Sequence, residues 1–244
     1  MDPKLAEIDV LILTGGQGTR LRSVVSDRPK PMADIQGQPF LEILLEYLLG
    51  QGLKRFILST GFMSYYIEDH FAKRPHYGDI IISRETSPLG TAGAIKHAKE
   101  FIRSEPFIVL NGDSFCEVSY NRLIQLHIHR KALTTLVVAE AGDQAECGSV
   151  VLDYDNSVRI FDEKQKDMSC NYLSAGIYCM SQAMFNVLPE DKMYSLEYDI
   201  FPRLIQQGCY AYITPEPFFD IGEEVRYKYF KTYVRTKTPI IQET

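Results

Sequence analysis

The run Leu13-Thr14-Gly15-Gly16-Gln17-Gly18-Thr19-Arg20-Leu21, followed by Arg28-Pro29-Lys30-Pro31-Met32, gathers residue types that handle phosphate. An apolar stretch over residues 8–13 leads into three glycines, a hydroxyl and an arginine, with a lysine close behind. Glycines lack Cβ atoms, so backbone N–H groups can approach a phosphate closely. Arg20 and Lys30 add the positive charge that a polyphosphate requires. A single Arg or Lys is more often a solvated surface charge. Here the glycine loop lies beside both, and prolines fix the backbone around Lys30, so the segment predicts a nucleoside-triphosphate cradle.

Two familiar phosphate loops fail on spacing. The position three after Gly18 is Leu21, and the second strand ends in Ser59-Thr60-Gly61 without an acid, so the dinucleotide fingerprint is absent. No Gly-Lys-Ser/Thr run follows a four-residue spacer, which excludes the P-loop.

Two carboxylates stand out. Asp113 follows an apolar run at 107–110 through Asn111-Gly112, which puts it at a strand's carboxyl end, where ligands of open α/β sheets gather. A turn aspartate is the competing reading. Asp220 lies between Phe218-Phe219 and Ile221-Gly222. A charge among apolar residues is costly unless it is paired or metal-bound, although an N-cap for a helix starting near Glu223 also fits. The five histidines and five cysteines form no metal-ligand spacing, and His127 and His129 point to different faces of a helix.

The elements that must position these residues alternate in the first half. Residues 8–13, 55–59, 80–83 and 107–110 read as buried strands, and residues 40–48, 65–73, 91–101 and 121–130 as helices. That alternation predicts an α/β fold, Rossmann-like, with a mixed, mostly parallel sheet and helices on both faces. The second half reads as strands at 134–139, 149–152, 158–161 and 173–180, with a hairpin-type turn at Asp155-Asn156, then helices at 197–207 and 223–234. Asp199 reads as structural. No repeat or linker divides the 244 residues, so one domain is expected, with halves at about 8–113 and 114–236.

Bulk composition narrows the partners. A net charge of −6 argues against nucleic acid, and no stretch approaches a membrane span. Five cysteines without a C-x-x-C pair, and no leader-like N-terminus, predict reduced thiols and a cytoplasmic location. The partners expected are therefore small molecules. A homo-oligomer is left open.

With Gly-Gly-x-Gly-Thr-Arg-Leu and Pro-Lys-Pro in hand, the chain resembles the nucleotide-sugar pyrophosphorylases, also called sugar-1-phosphate nucleotidyltransferases. The likeness continues through Gly90-Thr91-Ala92-Gly93, Asn111-Gly112-Asp113, Glu163-Lys164, Ala175-Gly176-Ile177-Tyr178 and Phe219-Asp220-Ile221-Gly222. These blocks fall in the family's order over almost the whole chain. Within the family, Leu21–Val25, Arg28–Ala33 and Pro39–Glu42 resemble the branch that transfers a guanylyl group to a heptose 1-phosphate.

The resemblance implies the nucleotide-diphospho-sugar transferase fold and attack of a sugar 1-phosphate on the α-phosphorus of a nucleoside triphosphate, with pyrophosphate expelled. It implies Mg2+ held by Asp113 and Asp220, and catalytic roles for Arg20, Lys30 and both aspartates. Leu13, Gly15, Gly16, Gly18, Thr19, Arg20, Glu85, Pro88, Gly90, Thr91 and Asp113 would contact the nucleotide. Lys30, Asn111, Gly148, Glu163, Lys164 and Ser174 would face the sugar phosphate. Glu85 lies in a loop resembling the family's base-recognition segment, and a carboxylate can accept from both N1–H and the 2-amino group of guanine. GTP is therefore expected. The chain departs from the family at Cys147, where an aromatic is usual, at Ser174, where Asn is common, and at Glu223-Glu224 after the Asp-Ile-Gly block. Rival readings are a mannose-1-phosphate guanylyltransferase, a uridylyl, thymidylyl or cytidylyl relative, and, from another class, a non-catalytic nucleotide-sugar sensor.

Overall fold

The computed structural model describes residues 3–21, 25–140, 148–162, 172–190, 193–205 and 207–237, with the side chain of Thr19 also outside the described set. In the first half the strands are β1 (Asp9–Leu13), the two-residue pair β2 (Asp34–Ile35) and β3 (Gln38–Pro39), β4 (Arg55–Thr60), β5 (Asp79–Arg84), β6 (Phe107–Asn111) and β7 (Ser114–Cys116). Between and after them lie helices α1 (Phe40–Gly50), α2 (Ser64–Ala72), α3 (Gly90–His97) and α4 (Tyr120–Arg130). The second half adds β8 (Thr134–Glu140), β9 (Ser149–Leu152), β10 (Val158–Asp162), β11 (Tyr172–Met180), α5 (Phe201–Leu204), β12 (Cys209–Thr214), β13 (Phe218–Asp220) and α6 (Glu224–Lys237).

Among the described residues, nine strands form one mixed sheet along the path β10-β9-β11-β6-β1-β4-β5, with β8 on β11 and β12 on β8. Strands β6, β1, β4 and β5 run parallel, and β11 enters antiparallel beside β6. Strand β1 shows why the run is apolar after Asp9, which is buried in an ion pair with Arg55. Val10 and Ile12 face one core with α1, α4 and α6, whereas Leu11 faces the other with α3 and α5. A strand covered on both faces has no polar side. The expected mixed sheet with helices on both faces is thus the observed architecture.

Several local expectations are corrected. The helix predicted at 91–101 stops at His97 and tightens into a 3-10 turn at Ala98–Phe101. The helix predicted at 197–207 opens as a π-helical turn, Leu196–Ile200, capped by the Ser195 hydroxyl, and only then becomes α5. Strands β2, β3, β7, β12 and β13 are absent from the sequence reading, and β13 bears on the N-cap reading of Asp220. This residue ends a strand, and the first turn of α6 is closed by Tyr227 N–H donating to the Glu223 carbonyl, so Asp220 is not its N-cap.

Candidate active site

The site grows from the carboxyl ends of β1 and β6. At the end of β1 the buried Thr14 is tied to β4, because its N–H and its hydroxyl both donate to the Ser59 carbonyl, at 2.8 and 2.7 Å. The glycine loop then leaves the sheet, and Arg20 sits in a 3-10 turn with its guanidinium 3.6 Å from Glu223, mostly exposed. Lys30 opens a second 3-10 turn, Lys30–Met32, whose Pro31 and Met32 are buried. The backbone is anchored there and the lysine side chain reaches inward.

At the end of β6, the Gly112 N–H donates to the Leu13 carbonyl at 2.9 Å, which brings Asp113 beside the glycine loop. Asp220 arrives from far along the chain through β13, which pairs antiparallel with β7 so that Asp220 stands opposite Ser114. The Ile221 N–H donates to the Asp113 carbonyl at 2.9 Å and locks that register.

These two acids share one cation. The Lys30 ammonium is 2.5 Å from Asp113 Oδ2 and 3.4 Å from Asp220 Oδ1, and its side chain is 9% exposed. Arg226 from α6 approaches Asp220 Oδ2 at 3.2 Å, and the Gly222 N–H donates to Asp220 Oδ1 at 2.6 Å. Burial pulls the Lys30 ammonium toward neutrality, but the two carboxylates outweigh it and raise its pKa above the usual lysine value. Burial likewise pushes Asp113 up, and the charge and hydrogen bond of Lys30 reverse this, leaving its carboxyl below the usual range. Gly222 leaves room for Asp220 and Lys30, one of which would have to shift to admit a larger residue. A Cβ there would lie 2.8 Å from Asp220 Oδ1 and 2.9 Å from Lys30 Nζ.

Two clefts meet at this group. The first is lined by Leu13, Thr14, Gly16, Gly18, Arg20, Lys30, Pro31, Asp113 and Gly222. The second, about 230 Å³, is lined by Arg20, Thr91, Asn111, Asp113, Ser114, Gly148, Ser174, Gly176, Tyr178, Glu197, Phe218 and Asp220. Arg20 and Asp113 belong to both. A register shift in β11 between Ser174 and Tyr178 marks the floor of the second cleft, as irregular strands do beside functional sites. The Asn111 Oδ1 atom is buried without a protein partner.

The structure therefore brings Leu13, Gly16, Gly18, Arg20, Lys30, Asn111, Asp113, Gly148, Ser174 and Asp220 around one junction. Thr91, expected to contact the nucleotide, lines the second cleft, where its hydroxyl donates to Glu197 Oε2 at 2.7 Å. Gly15, Gly90, Glu85 and Pro88 line neither cleft. Glu85 follows the last residue of β5, with Oε1 accepting from the Ser59 hydroxyl at 2.8 Å and Oε2 from the Leu89 N–H at 3.3 Å. Glu163, Lys164 and Cys147 lie outside the described residues, as does the Thr19 side chain.

The residue that sequence reasoning missed is Glu197. Its carboxylate accepts from Thr91, from the Ser195 hydroxyl at 2.8 Å and from the Tyr178 hydroxyl at 3.3 Å, and it lines the second cleft. Its local sequence, Ser195-Leu196-Glu197, reads as an ordinary helix start and gives no sign of these partners.

Mg2+ fits what is present. It takes one or two carboxylates and completes its shell with phosphate oxygens and water, and this junction offers two carboxylates already paired with a cation. Among the described residues no cluster of three or more His, Cys, Asp or Glu offers an alternative metal cage.

Comparison with known proteins gives a consistent picture. A family model described as nucleotidyl transferase matches residues 9–229. A D-glycero-alpha-D-manno-heptose 1-phosphate guanylyltransferase of Aneurinibacillus thermoaerophilus is 37% identical over 88% of this chain and 93% of that protein. A mannose-1-phosphate guanylyltransferase catalytic subunit beta of Drosophila melanogaster is 34% identical over 87% of this chain, which spans 59% of that protein. The crystal structure of HddC from Yersinia pseudotuberculosis superposes with a TM-score of 0.84 at 38% identity, covering 93% of this chain and 99% of that one. The same protein is known complexed with GMP-PN, at a TM-score of 0.83.

Proposed function

This chain belongs to the nucleotidyl transferase family, and from that premise we propose that it transfers the guanylyl group of GTP to D-glycero-α-D-manno-heptose 1-phosphate. A phosphate oxygen of the sugar phosphate bonds to the α-phosphorus as the bond to the β-phosphate oxygen breaks. Pyrophosphate leaves and the GDP-sugar remains. The observation that carries this reading is the meeting of two clefts at Arg20 and Asp113, with Lys30 on the first cleft and bonded to Asp113. The base assignment is supported by the GMP-PN complex of the Yersinia protein and by the names of both guanylyltransferase relatives.

Two anions must approach each other, so alignment and neutralisation dominate the barrier. In our reading the glycine loop positions the triphosphate through backbone N–H groups, and Arg20 lies at the boundary to neutralise the leaving side. Lys30 orients the reacting phosphates, and its prolines keep that reach short. Asp113 and Asp220 would hold Mg2+, which supplies positive charge to the phosphate oxygens when bound. Asn111, Ser174, Gly148, Glu163 and Lys164 would face the sugar phosphate. Residues 8–113 would supply most of the donor site and 114–236 most of the acceptor site, with Lys30 and Asn111 reaching the sugar phosphate from the first half. Among the described residues no helix is long and apolar enough to cross a membrane, which agrees with the cytoplasmic supply of a surface polysaccharide precursor that we infer.

The test is a matrix of nucleoside triphosphates against sugar 1-phosphates, scored by pyrophosphate release. The expected maximum is GTP with the heptose 1-phosphate. A preference for UTP, dTTP or CTP would overturn the base assignment, and binding without turnover anywhere in the matrix would overturn the reaction. Mannose 1-phosphate is the second acceptor to include, because the Drosophila relative is nearly as similar as the bacterial one.

A further inference from the structure

Ser59 is the penultimate residue of β4 and is fully buried, and it lines neither cleft. Its carbonyl accepts both donors of Thr14, the N–H at 2.8 Å and the hydroxyl at 2.7 Å, so it holds the first residue of the phosphate loop. Its own hydroxyl donates to Glu85 Oε1 at 2.8 Å. The Leu89 N–H donates to the other oxygen, Oε2, at 3.3 Å. Close packing holds the same three parts together. A Cβ on Gly15 would lie 3.1 Å from Glu85 Oε1 and 3.2 Å from the Gly61 N, so the loop backbone runs directly against the carboxylate.

We propose that Ser59 is a positioning residue for guanine selection, acting by fixing the rotation of the Glu85 carboxylate relative to the phosphate loop. The inference rests on the reading of Glu85 as the base acceptor. An ionised carboxylate offers about four lone-pair sites. Among the described residues the protein occupies one on each oxygen, and guanine would take the second on each. Guanine presents N1–H and a 2-amino N–H side by side, and both are satisfied at once only when the carboxylate lies in the base plane. A carboxylate free to rotate makes one good bond and one poor one. Because the Ser59 carbonyl also holds Thr14, the same residue sets the span between the base acceptor and the triphosphate.

The nucleotide pair that isolates the second bond is GTP and ITP, since ITP keeps N1–H and lacks the 2-amino group. Affinities of the full-length protein for each are measured by calorimetry for wild type, Ser59→Ala, Ser59→Thr and Glu85→Gln, with melting temperature as a check on folding. Loss of a hydrogen bond to a charged group corresponds to about tenfold in affinity or more. Wild type is expected to prefer GTP over ITP by about that factor. Glu85→Gln should bring the ratio near one, and Ser59→Ala should lower it about fivefold at nearly unchanged ITP affinity. Ser59→Thr, which keeps the hydroxyl, should restore the ratio.

An unchanged GTP-to-ITP ratio in Ser59→Ala beside a collapsed ratio in Glu85→Gln overturns the role of Ser59 and leaves the role of Glu85 intact. Equal weakening of both nucleotides in Ser59→Ala also overturns it, since that is the signature of simple structural damage. An unchanged ratio in Glu85→Gln removes the base assignment itself, and the proposal with it.

Discussion

Lys30 stands where a cation is required, and its removal gives a measurable account of the junction. In Lys30→Met the side chain keeps its length and loses its charge. Two ion pairs disappear, at 2.5 Å to Asp113 and 3.4 Å to Asp220, from a lysine whose side chain is 9% exposed. At an effective dielectric near 20 their gross attractions are about 7 and about 5 kcal/mol. Desolvation of the ammonium and the carboxylates offsets much of that, and breaking a buried pair by removing one partner costs about 3–5 kcal/mol. The lower end applies here. Asp220 keeps Arg226 at 3.2 Å, and the Asp113 side chain is 34% exposed, so water screens part of its charge. We expect a loss of about 3 kcal/mol in chelator, read by urea denaturation. In saturating Mg2+ a divalent ion between the same carboxylates replaces the lost charge, and the deficit should fall to about 1 kcal/mol. A deficit of the same size with and without Mg2+, or wild-type stability of Lys30→Met in chelator, would refute the reasoning.

Three further outcomes are expected. Asp113→Asn and Asp220→Asn should each lower turnover at least about 100-fold, the scale of one lost electrostatic group, with the circular dichroism spectrum unchanged; wild-type rates in both remove the metal assignment. Gly222→Ala drives a methyl to within 2.8 Å of Asp220 Oδ1 and 2.9 Å of Lys30 Nζ, so it should weaken Mn2+ binding measured by electron paramagnetic resonance, and unaltered affinity contradicts the geometry. His127 is buried with Nδ1 3.0 Å from the Thr135 hydroxyl, and burial pushes its pKa down to about 4. The unfolded chain, with a histidine pKa of about 6.5, takes up that proton first, so this residue leaves stability intact above that pH and removes up to about 3 kcal/mol as pH falls toward 4. His127→Gln should flatten the stability profile in that window, and an unchanged slope would show that another group is responsible.

The strands β1, β4, β5 and β6 were legible because each is a short apolar run with both faces covered, and the glycine loop because three glycines at a strand end have few other uses. Asp113 and Asp220 were legible one at a time. Their common lysine was not, because the bridge depends on β13, a three-residue strand whose two phenylalanines read as generic core. Glu197 was hidden for a related reason. A π-helical turn is a tertiary outcome, and Ser-Leu-Glu carries no local sign of one. Ser59 entered the sequence reading only as evidence against a dinucleotide fold, since a serine at a strand end carries no record of its partner on the next strand.

The pairing of β7 with β13 has an architectural consequence. Everything between Cys116 and Phe218 is an excursion that departs from and returns to one two-stranded clasp. The clasp sets the spacing of the two acids whatever the excursion contains, and β11 and the Ser195–Glu197 turn belong to the excursion. The side chains that the interval lends to the second cleft, Ser174, Tyr178 and Glu197 among them, therefore hang from a frame whose closure is made outside them.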